Sequence, residues 1–383
     1  MKWFISLLLL PHMWPDGFDV YLPVSMSVCK VGRIVSALVI FTLYIYSRKL
    51  PGKPVWLLAG ISFLLILSTY VNEGPGLTAM LQGISWVAVA MIVEFFAPSS
   101  QNLVSGLMIT IEWQIYGNLL TVIASLPTGA PMNTYLLGHR NGFIRYGFLA
   151  IIAGYIYMVK FKKLVRPFCL IGICYASIIL TQSATSLVAL SLVTALMVLP
   201  SPKIRKKLTF PLVFVCGLCA NLAVVIFRVM DRSGWITWLI MQILKRQATL
   251  TGRTLVWDRT WELITENFII GYGYGNHVLV PTVELFSLSA HNVYLELVLE
   301  GGIFALALFL LLNMEVGKAL VRHSGSQAAY MFVALLAGVY LVCITEAFMC
   351  TILVLILMLA CHVGRLQSIP EAARKRRRLR VKW

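Results

Sequence analysis

Residues 55–71 read VWLLAGISFLLILSTYV, an apolar run of 17 positions without a charged side chain. As a helix, such a run is close to the length that crosses about 30 Å of hydrocarbon. The whole 383-residue chain is also strongly apolar: 59% of its residues are hydrophobic, 12% are charged and its mean hydropathy is +0.84. Soluble domains average about 45–50% apolar and about 25% charged residues. The composition therefore excludes an ordinary soluble enzyme and predicts an all-α, polytopic membrane protein.

Apolar segments of similar length recur along the chain and predict about 12 transmembrane helices. They lie near residues 3–14, 32–47, 55–71, 76–97, 103–126, 143–159, 166–181, 184–200, 208–229, 291–313, 328–346 and 347–364. Pro11 interrupts the first segment early. A signal peptide is the alternative for this segment, but no small-residue cleavage site follows it, so we expect it to be retained.

The basic residues are concentrated between the apolar segments and give the chain its net charge of +17. The clusters are 48–53, 160–166, 203–207, 318–322 and the tail 365–383. If twelve segments span the membrane, all five clusters fall on one side, and the positive-inside rule makes that side cytoplasmic. Both termini are then cytoplasmic, the tail binds anionic lipids of the inner leaflet, and no nucleic acid is needed to explain the charge. Lys30 and Arg33, at an outer helix end, are an exception.

This topology divides the chain into four parts. Residues 1–229 carry helices 1–9, residues 230–290 form a long extracytoplasmic loop, residues 291–364 carry helices 10–12, and residues 365–383 form the tail. The loop has five basic and five acidic residues, and we predict helices over Trp235–Leu250 and Thr254–Glu266 within it. So long a loop is usually functional in a chain of tight turns, so we expect it to carry part of an active site.

Three arginines stand at the predicted outer interface, where topology disfavours positive charge. They are Arg140, Arg145 and Arg253. The planar guanidinium suits a phosphate or diphosphate group held by two parallel hydrogen bonds. The alternative is that these arginines bind lipid headgroups or a local acid.

His291 is a candidate general base at the end of the long loop, because an imidazole accepts a proton near neutral pH. Its alternative role is to cap the following helix. Glu296 and Glu300 would point away from His291 in an unbroken helix, so we expect a carboxylate that orients the imidazole to come from the long loop.

Two further outer segments are interpreted as turns. Gly271–Gly275 lacks the strand and helix of a nucleotide-binding loop, and we predict a turn whose backbone approaches a polar substrate. Tyr272 and Tyr274 would stack on sugar rings or pack on the loop. Asp16 and Asp19, flanked by Pro15, also favour a turn. The histidines, including His139, have no metal-ligand spacing, so we predict neither a metal site nor a cofactor.

Several outer motifs together resemble the O-antigen ligase and polysaccharide polymerase superfamily. These are Gly-Arg-x-x-x-Trp at Gly252–Trp257, the Gly-x-Gly turn, and His-Asn-x-x-Leu-x-x-x-x-Glu-x-Gly at His291–Gly302. Upstream, Gly138–Asn141 is similar to the family's Gly-His-Lys-Asn, and Gln182–Ser186 to its Ser-x-Thr segment. The resemblance covers about residues 135–305 and departs from the family at Arg140, where a lysine is common.

The resemblance implies a GT-C-like glycosyltransferase of the bacterial cytoplasmic membrane that needs neither a metal nor a nucleotide sugar. Its donor is a glycan on polyprenyl (undecaprenyl) diphosphate at the outer face, and an acceptor sugar hydroxyl attacks the anomeric carbon with inversion. His291 would be the base, Arg253 would bind and stabilise the diphosphate, and Arg140 would be a second phosphate ligand. Arg145 would be a further ligand of the diphosphate, and four residues would support the site: Asn292, Gly252, Gly273 and His139.

The motifs leave the acceptor open. A polymerase transfers the glycan to another lipid-linked repeat unit in O-antigen, capsule or exopolysaccharide synthesis, and we favour this reading from the upstream motifs. A ligase transfers it to lipid A core, protein or wall polymer. A lipid-linked oligosaccharide flippase is a more distant alternative, and a chain-length regulator is a candidate partner.

Overall fold

The computed structural model describes residues 1–22, 25–127, 129, 133–198, 201–228, 253–275, 278–279 and 289–367. Helices account for most of these residues, and the strands among them are a single antiparallel pair, β1 (Thr134–Tyr135) and β2 (Gly138–His139). The predicted helix over Trp235–Leu250, the position Gly252 and the basic tail from residue 368 onward lie outside the described residues. The all-α membrane class is confirmed.

Each of the twelve predicted apolar segments contains a helix, and shorter helices lie between or after them. In chain order the helices are α1 (Lys2–Leu9), α2 (Phe18–Tyr21), α3 (Ser25–Ser47), α4 (Lys53–Val71), α5 (Gly76–Phe96), α6 (Ser100–Ala124), α7 (Phe143–Phe161), α8 (Val165–Leu180), α9 (Ala184–Val198), α10 (Pro202–Lys207), α11 (Phe210–Asn221), α12 (Arg253–Glu266), α13 (Val293–Arg322), α14 (Gln327–Cys343), α15 (Thr351–Cys361) and α16 (Val363–Gln367). The predicted helix over Thr254–Glu266 is therefore confirmed, one residue longer.

Five helical stretches of the described chain are long and apolar enough to cross a membrane. They are Ser25–Ser47, Lys53–Val71, Gly76–Ala124, Arg140–Phe161 and Val293–Arg322. The 49-residue stretch joins α5 and α6 through a 3-10 turn. Helices α8, α9, α14 and α15 and the stretch Phe210–Ile226 are also apolar but have only 10–17 residues. The number of twelve spans therefore stays a prediction.

Helix α13 organises the end of the fold that carries the outer motifs. It packs along α4, which itself packs on α5. A second, smaller apolar cluster fixes α12 against the first turns of α13, with Trp257 and Ile264 on one side and Leu295 and Val298 on the other. The Trp257 indole N–H donates to the carbonyl of Ala290 at 3.0 Å. These contacts hold the loop-borne helix α12 in a defined place at the start of α13.

A break in α13 creates room for the glycine turn that follows α12. Gly302 has φ +71°, and a Cβ there would collide with the carbonyl of Ile269. The backbone N–H groups of Tyr272 and Gly273 donate to the carbonyls of Leu299 and Glu300, at 2.7 and 2.9 Å. The turn therefore pairs with helix backbone that the break exposes.

The opposite end of α13 carries basic clusters. Glu315 accepts hydrogen bonds at 2.8 Å from both Lys53 and Lys318, so the start of α4 and the end of α13 lie together. Arg205 of α10 donates at 3.2 Å to the side chain of Gln327, which begins α14 shortly after α13 ends. Three of the five basic clusters thus meet near the C-terminal end of α13, far from the outer motifs.

Candidate active site

Three side chains from distant parts of the sequence meet at the start of α13. One Nη of Arg253 donates to Oε1 of Glu346 at 2.7 Å, and Nδ1 of His291 lies 3.7 Å from the other carboxylate oxygen. The side chains of Arg253, Glu346 and His291 are 15%, 21% and 37% exposed. A single carboxylate is therefore shared by a largely buried arginine and a more accessible histidine.

Different elements supply the three groups. Arg253 is the first residue of α12, which Trp257 anchors to the chain just before α13. His291 precedes α13 with φ +48°, a left-handed conformation that is uncommon outside glycine. Glu346 lies in the loop 344–350 between α14 and α15. Tertiary packing alone brings these residues together.

The side chain of Asn292 connects the start of α13 to two other parts of the chain. Its side-chain oxygen caps α13 by accepting from the N–H groups of Tyr294 and Leu295, both at 3.0 Å. Its amide nitrogen donates to Oδ1 of Asn221 at 2.6 Å and to the carbonyl of Ile344 at 3.1 Å. Asn292 is fully buried. The helix-capping role considered possible for His291 therefore belongs to its neighbour Asn292. Asn292 also holds the loop that carries Glu346, through the carbonyl of Ile344.

The expectation that the long loop supplies the carboxylate beside His291 was wrong for the described residues. Glu346 follows α14 instead, more than 50 positions from His291. The near acids have other partners: Glu296 accepts from the N–H of Ala290 and Glu300 accepts from the N–H of Gly275. The signal available in the sequence was an isolated acid at the end of an apolar segment, which has no specific meaning without its neighbours in space.

The charge state of Glu346 follows from its surroundings. Burial by itself would raise the pKa of this carboxyl, but the His291 side chain and the positive charge of Arg253 outweigh burial and lower the pKa below its usual value. Glu346 is therefore ionised at neutral pH. An ionised carboxylate can hold a protonated imidazole nitrogen and a guanidinium at the same time.

The Gly138–Asn141 and Gln182–Ser186 motifs pack against each other through hydrogen bonds. The hydroxyl of Ser183 donates to Oδ1 of Asn141, and the hydroxyl of Ser186 donates to its carbonyl, both at 3.3 Å. Arg140 donates to the carbonyl of Thr181 at 3.4 Å. Hydrogen bonds therefore join two motifs that lie some forty residues apart in the sequence, and Arg140 is part of their junction.

The imidazole of His139 is influenced by charges of the Arg253 cluster and of its own motif. Burial lowers the pKa of its imidazole, and the charges of Arg140 and His291 lower it further, whereas Glu346 acts in the opposite direction. Nδ1 of His139 accepts from the N–H of Asn141 at 3.4 Å. His139 therefore lies within electrostatic range of His291 and Glu346.

The turn at Asp16 reaches this end of the fold. The backbone N–H of Gly17 donates to the carbonyl of Leu136 at 3.1 Å, and the Asp16 carboxylate lies 3.7 Å from an Nη of Arg145. The turn predicted for Asp16 and Asp19 is confirmed at Asp16, whereas Asp19 lies in the short helix α2. The charge contact between Asp16 and Arg145 was not predicted. Among the described residues no group of three His, Cys, Asp or Glu side chains is arranged to hold a metal ion.

The glycine turn approaches protein rather than open space. A Cβ on Gly273 would lie 2.5 Å from Cα of Thr69, and the Thr69 hydroxyl accepts from the N–H of Tyr274 at 2.8 Å. Tyr272 donates to Glu266, and the ring of Tyr274 packs edge-on to Trp86 at 6.4 Å. The missing side chain of Gly273 makes room for α4. The approach of the turn's backbone to a substrate stays a prediction.

Residues 167–310 match the family model described as O-antigen ligase. The matched range contains Arg253 and His291, begins after His139 and Arg140, and ends before Glu346. A search of curated proteins found no match to the chain.

Proposed function

We propose that this membrane protein is a member of the O-antigen ligase and polymerase superfamily, whose family model matches residues 167–310. We also propose that its Arg253–His291–Glu346 cluster transfers a glycan from polyprenyl diphosphate to a sugar hydroxyl. The family supports a glycosyl-transferring enzyme of surface polysaccharide assembly. The donor class, the inverting chemistry and the residue roles are our proposal, as is the bacterial cytoplasmic membrane with the cluster at its outer face.

The shared carboxylate is the observation that carries the proposal. Glu346 faces Nδ1 of His291, so a proton on Nδ1 is stabilised and Nε2 keeps a lone pair for the acceptor hydroxyl. The 3.7 Å separation is longer than a hydrogen bond, and we expect it to shorten as the imidazole gains the proton of the acceptor. His291 is the most exposed member of the cluster, which suits contact with an acceptor.

The guanidinium of Arg253 is suited to the leaving group. One of its Nη atoms is used by Glu346, which leaves further N–H donors in a fixed plane. A diphosphate oxygen develops negative charge as the glycosidic bond breaks, and a preorganised cation stabilises that charge. Arg140, which donates to the carbonyl of Thr181, is proposed as an additional phosphate ligand.

In the proposed reaction, His291 takes up the acceptor proton and the lipid diphosphate is the leaving group. The acceptor oxygen attacks the anomeric carbon while Nε2 of His291 takes the hydroxyl proton. The bond from the anomeric carbon to the diphosphate oxygen breaks, and the electron pair leaves with the lipid diphosphate beside Arg253. Attack opposite the leaving group inverts the anomeric configuration.

The acceptor distinguishes the two forms of this activity. A polymerase extends a lipid-linked repeat unit, and we retain it as the first candidate from the upstream motifs. A ligase transfers to lipid A core, protein or wall polymer, and the description of the matched family model favours it. The flippase alternative would use ionisable residues inside apolar helices. Two such acids are instead paired within the protein: Glu112 forms two bonds with Arg166, and Glu94 accepts from the N–H of Gly52.

A transfer assay tests the proposal. The purified full chain would receive an undecaprenyl diphosphate oligosaccharide, with no nucleotide or metal added, and products would be resolved by size. We expect His291→Ala and Arg253→Ala each to lower the rate by about 10²-fold or more. Arg259→Ala is the matched control, since Arg259 lies on the same helix and pairs with Glu262.

The product pattern decides between the candidates. A ladder identifies a polymerase, and a single transfer to an added lipid A core acceptor identifies a ligase. Full activity of the folded His291 variant would contradict the base assignment. Lipid translocation in proteoliposomes without any glycosyl transfer would favour the flippase.

A further inference from the structure

A cavity of about 550 Å³ opens at the end of the helices opposite the candidate active site. Four chain segments line it, represented by Lys49 after α3, Glu94 in α5, Arg322 at the end of α13 and Arg365 in α16. A helix rises about 1.5 Å per residue, so the 30 residues of α13 separate this cavity from His291 by up to about 45 Å. The cavity is therefore distinct from the Arg253 cluster.

The cavity has an excess of positive charge at its mouth. Its lining includes four cations, Lys49, Lys318, Arg322 and Arg365, all on exposed residues. It also includes two carboxylates, and both have donors: Glu94 accepts from the N–H of Gly52 at 2.8 Å and from Tyr44 at 3.1 Å, and Glu315 accepts from lysines. The charged side chains leave a net charge of +2, which suits an anion at the mouth.

The inner wall offers polar atoms for a neutral part of a ligand. Nε2 of His362 is buried and has no hydrogen-bond partner among the described residues, although its ring lines the cavity. A buried polar atom without a partner is costly, and a hydroxyl group would satisfy it. The nearby carboxylate of Glu94 is a second acceptor for hydroxyl protons.

The rim of the cavity has an apolar side as well. Leu50 lines the cavity with 86% of its surface exposed, beside Phe95 and the exposed Pro98. An exposed leucine next to a cluster of cations suits the boundary between headgroups and acyl chains. A soluble anion would not use this apolar edge.

We propose that the cavity binds the glycerol phosphate headgroup of an anionic phospholipid from the adjacent leaflet. The phosphate lies against Lys49, Arg322 and Arg365, and the glycerol hydroxyls reach His362 and Glu94. The acyl chains leave over Leu50. This site is independent of the proposed function, because it shares no residue with the Arg253 cluster.

Lipid retention tests the site. The full chain would be purified from nanodiscs that hold phosphatidylglycerol and phosphatidylcholine, and bound lipids would be counted by native mass spectrometry. We expect wild type to retain phosphatidylglycerol selectively, and Arg322→Gln with Arg365→Gln to lower that retention at least tenfold. The double variant Lys206→Gln with Lys207→Gln removes equal charge from exposed residues of α10 outside the cavity lining, so it should behave as wild type.

The controls separate the cavity from a diffuse effect. The charge-conserving pair Arg322→Lys with Arg365→Lys should keep selective retention, which would show that the loss follows the charge at these two positions. Equal loss in the cavity and α10 variants would overturn the proposal, as would equal retention of both lipids by wild type. Displacement of the lipid by soluble glycerol 3-phosphate would assign the site to a soluble phosphate ester and overturn the lipid assignment.

Discussion

At the scale of single residues, Glu346 determines the chemistry that His291 and Arg253 can perform. A carboxylate that contacts both groups orders the imidazole and fixes the plane of the guanidinium. Removal of one member of a partly buried ion pair leaves the other charge without compensation. The two basic groups are therefore expected to lose function together when the carboxylate is removed.

Replacement of the carboxylate by an amide is the first prediction. Glu346→Gln keeps the size of the side chain but removes its charge, and we expect kcat to fall by about 10²-fold with a smaller change in KM. Steady-state kinetics with the lipid-linked donor measures this split. Glu262→Gln changes an exposed acid of α12 and should leave kcat unchanged. A normal kcat in the Glu346 variant would remove this residue from the mechanism.

The lowered pKa of Glu346 predicts a dependence of stability on pH. A carboxyl whose pKa is lower in the folded state stabilises the fold above its ordinary pKa and loses that contribution as pH falls through the lowered value. The contribution is thus constant from pH 7 to 5 and declines below about 4.5. Thermal unfolding of wild type and Glu346→Gln, followed from pH 7 to 3.5, should show curves that converge in acid. A constant difference throughout would contradict the linkage.

Asn292 provides a separate prediction, because it caps α13 and also holds the Glu346 loop. Asn292→Ala should cost about 1–2 kcal/mol as a lost cap and should also lower the transfer rate, since Ile344 loses its donor. Ser326 caps α14 through the N–H of Ala329. Ser326→Ala should therefore lower the thermal midpoint similarly and leave transfer intact. If both variants lose stability but keep the transfer rate of the wild type, Asn292 has no positioning role.

At the scale of elements, the break in α13 allows the glycine turn to dock. The turn uses helix carbonyls that an unbroken helix would have kept for its own amides, and Gly302 makes the break sterically accessible. Asn72 at the end of α4 adds a hydrogen bond to the carbonyl of Gly271 at 3.0 Å. Helices α4, α12 and α13 are thereby tied together below the candidate site.

Substitution at the break tests this arrangement. Gly302→Ala places a methyl group against the backbone of Ile269 and forces an L residue to φ +71°, so we expect a loss of several °C in the thermal midpoint together with lower activity. Gly172 of α8 has no heavy atom within 4 Å of an added Cβ. Gly172→Ala should be neutral or slightly stabilising. Equal tolerance of the two substitutions would show that the break is dispensable.

At the scale of the whole molecule, the charges at the two ends of the helices differ in arrangement. The Arg253 cluster and the His139 motif lie at the start of α13, whereas the lysines around Glu315 lie near its end. The positive-inside rule assigns the lysine end to the cytoplasm. Under this rule we expect the candidate active site to face outward, where the proposed lipid-linked donor would be presented.

Cysteine labelling tests this orientation. In a chain whose eight native cysteines are replaced, Glu73→Cys between α4 and α5 should react with an impermeant maleimide in intact cells. Lys162→Cys and Gly325→Cys should react only after the membrane is opened. The reverse pattern would place the Arg253 cluster in the cytoplasm and contradict the proposed lipid-linked donor.

The sequence by itself determined the membrane class, the helical segments and the chemical types at the candidate site. Apolar length and composition act locally along the chain, so the positions of α4 and α12 could be predicted without knowledge of packing. The motifs around Arg253 and His291 also indicated the superfamily, which the match over residues 167–310 supports. Each of these features is contained in a continuous stretch of residues.

The tertiary structure alone decided which acid serves His291 and what the glycines are for. Glu346 follows a different helix and reaches the cluster because Asn292 binds the carbonyl of Ile344, a contact that leaves no pattern in either segment. Gly273 likewise lacks a side chain at the point where its backbone packs against Thr69, some two hundred positions away in the sequence. Electrostatic pairing and close packing depend on distances in space, and a sequence records only distances along the chain.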